Sequence, residues 1–168
     1  MTENLDRVGR IKAEWARERP DLDIRPQGVI GRLHRLAGHL TEELTLVYRR
    51  YGLAEGEFDV LATLRRAGAP YERAAGELAR FTMVTTGAVS KRIDRLERDG
   101  LVTRRVSASD GRGRVIALTA AGKDLIDRAF TEHIRNEQRL LAMLTDDQAD
   151  ELESLLTTWL AHFETDEA

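Results

Sequence analysis

Apolar side chains recur every three or four residues along most of this 168-residue chain, and that spacing predicts helices. Leu5, Val8, Ile11 and Trp15 mark one face of a short amphipathic helix within residues 2–19, with Thr2 or Asn4 as its cap and Pro20 as its end. From about Gln27 to Tyr51 a stripe of Val29/Ile30, Leu33, Leu36/Ala37, Leu40, Leu44 and Val47/Tyr48 forms the longest periodic run, and Gly52 closes it. Phe58, Leu61 and Leu64 repeat the pattern over residues 53–66 before Gly68, Ala69, Pro70 and Tyr71 break it. A short helix over 72–81 carries Leu78 and Ala79, and a brief connection through Val84 leads to another helix over 85–100.

After Gly100 the period changes. LVTRRV and GRVIAL are β-prone runs joined by a polar, glycine-containing tip, which predicts a β-hairpin. Helical spacing returns at Ala120 and persists to Leu141. A last helix starts with Thr145 and Gln148 as a capping box and Leu144 as a staple, and carries Leu152, Leu155/Leu156, Trp159/Leu160 and Phe163.

The order is thus five helices, one hairpin and two long helices, a mainly α fold with a small β-hairpin wing. We divide it into an extra helix with a first dimerisation helix (1–52), a winged helix-turn-helix unit (53–119) and C-terminal dimerisation helices (120–168). A chain of this length struggles to cover the long terminal stripes by itself, so they predict a homodimer. Packing on the chain's own core is the alternative for those stripes, and for Trp159 and Phe163 in particular.

Composition narrows the function. The chain has no cysteine, which excludes disulfides, thiolate metal sites and a cysteine nucleophile. Aromatic residues make up only 5%, which argues against a stacking platform for single strands. No apolar run is long enough to span a bilayer, and the first residues are acidic and polar, so a cytoplasmic protein without membrane contact is expected. His34, His39, His133 and His162 form no ligand pattern, and neither a phosphate-binding glycine loop nor a catalytic constellation is present. We therefore expect no enzyme, no metal and no cofactor.

Charge changes the picture more. The net charge is −3, yet residues 82–114 carry eight Lys/Arg against four acids, a local +4 that leaves −7 for the rest. Such asymmetry marks either an anion-binding surface or a solvated face. The helix TTGAVSKRIDRLERDG at 85–100 sharpens the choice. Val89, Ile93 and Leu96 form an anchoring face, while its first turns are small, polar or basic. Three helices and a hairpin are the layout in which the last helix enters a DNA major groove. With Thr85 as cap, Thr86, Gly87, Ser90 and Lys91 project from the first turns, small enough for close approach and able to hydrogen-bond or bind phosphate. Lys91 and Arg95 share a face one turn apart beside these small residues, so both are expected to contact DNA, with solvation as the alternative. Arg98 pairs with Asp94 in this reading.

FDVLATLRRAGAP, GELARFTMVTTGAVSKRIDRLERDGLVTRR and SDGRGRVIALTAAGKDL together resemble the MarR family of winged helix regulators, over roughly residues 30–160. The resemblance implies a dimeric transcriptional regulator, usually a repressor, on a pseudo-palindromic double-stranded DNA operator, released by small phenolic or other anionic ligands. It implies that Arg112 at the wing tip enters the minor groove, oriented by Asp110. The family's tip is commonly Asp-Arg-Arg; here it is Asp110-Gly111-Arg112, with Arg114 as the compensating cation.

An extra N-terminal helix bearing a tryptophan is similar to the urate-responsive branch. That resemblance implies a ligand site of Trp15, Asp59, Arg92 and Arg104. An indole face suits a flat ring, guanidiniums suit an anion, and a carboxylate can share a proton. The competing reading has Trp15 in dimer packing, Asp59 paired with an arginine and Arg92 on phosphate. The branch's further polar partner has no counterpart between Arg65 and Ala69. A winged-helix module that binds another protein is the alternative for the whole chain.

Overall fold

The computed structural model describes residues 6–81, 86–106 and 113–164, with side chains left aside at 79–81 and 86–88. Residues 1–46 and 47–168 form two compact units, each taken by itself.

The first unit holds α1 (Arg7–Glu18) and most of α2 (Arg25–Arg50). The cap of α1 is Asp6 rather than Thr2 or Asn4: its carboxylate accepts the Gly9 N–H at 2.7 Å. Asp6 directly precedes the first helical residue, as a cap must. The same carboxylate takes both Arg32 bonds at 2.9 Å. The Gly9 N–H, and then Arg32, hold Asp6 below the usual carboxylate range. Helix α2 starts at Arg25, two residues before the expected start at Gln27. Asp23 accepts the Arg25 N–H at 3.0 Å, and Pro26 has no N–H to leave unsatisfied in a first turn. Gly52, at φ +71°, follows the end of α2 in the left-handed conformation that stops helices.

The second unit contains α3 (Glu55–Arg66), β1 (Glu72–Ala74), α4 (Ala75–Phe81), α5 (Thr86–Arg98), β2 (Val102–Val106), β3 (Arg114–Leu118), α6 (Ala120–Leu141) and α7 (Asp146–Leu160). The three strands are antiparallel in the order β1-β3-β2. Residues 72–74, expected as the start of a helix, are instead a strand in register with Val115–Ala117. Three residues have no readable period, and the open edge of β3 decides their conformation. The hairpin pairs Val102 with Leu118 through to Val106 with Arg114. Its tip, residues 107–112, lies outside the described residues.

Helix α3 is the centre of this unit, with Val60, Leu61 and Leu64 fully buried. Around it lie Leu78 of α4, Val89, Ile93 and Leu96 of α5, Val102 and Ile116 of the sheet, and Ile126 and Ala129 of α6, all buried. Each large aliphatic side chain removed from water contributes roughly 1.5–3 kcal/mol before entropy is counted. Thr119 caps α6 by accepting the Gly122 N–H at 2.9 Å, and its hydroxyl donates to the Gly100 carbonyl at 2.8 Å. That bond ties the end of the α5 segment to the start of α6. The capping box at Thr145 and Gln148 is present as expected.

Candidate nucleic-acid interface

Helix α5 separates its two faces as its sequence implies. Val89, Ile93 and Leu96 are buried, while Ser90 and Lys91 are exposed. Thr86 and Gly87 provide the backbone of its first turn. Thr85, Asp110 and Arg112 lie outside the described residues, and Arg114 stands exposed at the start of β3.

The arginines behind this face have partners. Arg95 is half exposed, but its Nε stands 3.2 Å from Glu57 Oε1 and 3.8 Å from Asp99 Oδ2. Glu57 is only 5% exposed, and its other oxygen accepts the Ala54 N–H at 2.8 Å. Arg104 hydrogen-bonds Asp94 and lies 3.5 Å from Glu97, both on α5. Arg105 pairs instead with Glu72 of β1 at 2.6 Å. Adjacent strand residues point to opposite faces, so one arginine braces the recognition helix and its neighbour braces the sheet. Sequence reasoning does not find Glu57, Glu72 or Glu97 as partners. Their separations in the chain follow no helical or strand period, so no local signal marks them.

The proposed ligand residues belong to both units. Trp15 belongs to the first unit, where it is half exposed. In the second unit the Arg92 guanidinium lies over Gly56, and its Nη1 is buried without a hydrogen-bond partner. Asp59 keeps contact with solvent but is crowded enough for desolvation to raise its carboxyl above the ordinary range. Glu55 adds to the rise, and Arg92, Arg66 and His133 oppose it. Arg104 is committed to Asp94 and Glu97, as described.

Near Asp59 an aromatic cluster joins α2, α3 and α6. Tyr48 stacks on Phe58 with centroids 4.2 Å apart, and Phe58 faces Phe130 and His133 at 6.4 and 5.0 Å. The Tyr48 hydroxyl lies 3.3 Å from His133 Nδ1. Burial first, and then Asp59, Glu55 and Glu137, push Tyr48 up to about 12.

A helical tri-unit whose last helix presents small and basic residues, backed by an antiparallel wing, defines a winged helix-turn-helix DNA-binding protein. The MarR family model matches residues 51–113. The HTH-type transcriptional regulator PecS of Dickeya dadantii (strain 3937) is 38% identical over 149 residues, 89% of this chain and 90% of that protein. The HTH-type transcriptional repressor Rv2887 of Mycobacterium tuberculosis (strain ATCC 25618 / H37Rv) is 33% identical over 74% of this chain and 87% of its own length. Among solved structures, a mutant MarR from E. coli complexed with operator DNA superposes with a TM-score of 0.70. It is 27% identical, over 82% of this chain and 95% of that one. The chain belongs to the MarR family and is a DNA-binding transcriptional regulator. Among the described residues no helix is long and apolar enough to cross a membrane, and no three metal-ligating side chains stand together.

Proposed function

We propose that the chain is a cytoplasmic homodimeric repressor that reads a pseudo-palindromic operator and has no catalytic role. The observation that carries this reading is the division of α5 into a buried apolar face and an exposed face with Ser90 and Lys91. Thr85, Thr86, Gly87, Ser90 and Lys91 serve the major groove, and Asp110, Arg112 and Arg114 serve the wing. The exposed Leu141, Leu155, Leu156, Trp159, Leu160 and Phe163 of the C-terminal region support a dimer, since a monomer rarely leaves so many large apolar side chains in water. Residues 53–119 are the reader in this scheme, and 1–52 and 120–168 pair the two copies.

Operator affinity falls steeply with ionic strength on this account, because each phosphate contact releases counterions. Gel shifts with operator DNA across a salt series test it, with Lys91→Ala lowering the slope by about one if Lys91 binds a phosphate. A flat salt response contradicts the reading, and a stable protein partner without any selective DNA shift would favour the interaction-module alternative.

We infer further that a small anionic aromatic ligand releases the DNA, with urate as the first candidate, using Trp15, Asp59 and Arg92. Arg104 completes that set, alongside its pairs with Asp94 and Glu97. The buried, unpartnered Nη1 of Arg92 and the raised Asp59 carboxyl support a site for an anion there. Titrating urate into the protein–operator complex while following tryptophan fluorescence tests it. Release of DNA with a fluorescence change is expected; no release at saturating urate rejects urate.

A further inference from the structure

The buried carboxylate of Glu57 lies against the recognition helix. Two arginines one turn apart on α5 land on the first turn of α3. The guanidinium of Arg92 covers Gly56, and Arg95 reaches Glu57 Oε1 at 3.2 Å. Glu57 is itself fixed, because its Oε2 takes the Ala54 N–H and so completes the start of α3. A carboxylate 5% exposed and held by a backbone N–H is a rigid anchor for a cation. A phosphate-binding arginine, by contrast, gains most when its own charge is unspent. Arg95 has a second carboxylate, Asp99, at 3.8 Å, so its charge is already answered within the protein.

We propose that Glu57 is a positioning residue for DNA reading: through Arg95 it fixes the angle at which α5 presents Ser90 and Lys91 to the duplex. This rests on α5 being the recognition helix. Arg95 then acts through Glu57, not through phosphate. Loss of either partner removes the same restraint, so the two substitutions have a shared effect.

The test is a double-mutant cycle on operator binding with Glu57→Gln, Arg95→Gln and the pair, each measured over a salt series and each checked by thermal melting. Glutamine at 57 can still accept the Ala54 N–H, so the start of α3 is kept. Each single change should weaken binding by roughly tenfold, the size of coupling found between touching residues, and the double change should cost no more than either alone. The salt slope should stay that of the unchanged protein. A slope lowered by about one in Arg95→Gln, with Glu57→Gln binding normally, would place Arg95 on a phosphate and overturn the proposal. Additive losses would also overturn it. If Glu57→Gln is unfolded at the assay temperature, the salt slope of Arg95→Gln decides alone. If the unchanged protein shows no selective DNA binding, the recognition-helix reading itself has failed and takes the proposal with it.

Discussion

Gly56 and Gly122 show how one substitution has two outcomes. A Cβ at Gly56 would overlap the Arg92 guanidinium, which is the free end of a long side chain. A Cβ at Gly122 would overlap the Leu101 carbonyl, which is backbone and pinned by the Thr119 N–H at 3.1 Å. Gly56→Ala should therefore stay within about 1 kcal/mol of the parent, since alanine's helix propensity offsets the displacement of Arg92. If urate binds at Arg92 as proposed, its signature is a weakened urate response. Gly122→Ala should lose about 3 kcal/mol or more, because backbone must move. Denaturant unfolding of both variants checks this, and equal losses would contradict it. Neither glycine is distinguishable in the sequence from one that merely lowers helix propensity. The inward residues of α5 are legible there, but Glu57 is not, since nothing local tells a buried carboxylate from an exposed one.

At the scale of elements, Tyr48 couples the end of α2 to α6 through His133. Tyrosine ionises near 10.0 in the unfolded chain, and burial pushes Tyr48 up to about 12 in the folded one. Between those values the folded protein keeps a proton that the unfolded chain has lost. The stabilisation is full below pH 10 and is lost as pH rises through about 12, amounting to about 3 kcal/mol. Unfolding free energies from pH 10 to 12 should fall more steeply for the parent than for Tyr48→Phe; parallel curves would contradict this. Long periodic helices and the hairpin are legible because their signals repeat within each segment. Strand β1 is not, because its conformation comes from pairing with β3 more than forty residues away. The α1 cap escapes sequence reading for a smaller reason, as Asp6 also looks like part of the helix's polar face.

For the whole molecule, the sequence carries the class of fold and the local basic character of residues 82–114, although the net charge is acidic. It does not show how that charge is used. Arg95, Arg104 and Arg105 are all paired with carboxylates. Of the terminal stripes, that of α7 has no buried residue in the single chain, whereas Val47, Tyr48, Ile126 and Ala129 of α2 and α6 are buried in it. The central claim is that two α5 helices, paired by those stripes, read one operator. Selection of bound sites from random double-stranded DNA tests it most directly. The account predicts enrichment of a pseudo-palindrome whose half-sites lie about one helical turn, 10–10.5 base pairs, or a multiple of it, apart. A bound pool with no sequence enrichment, or with a single unpaired half-site, would contradict it.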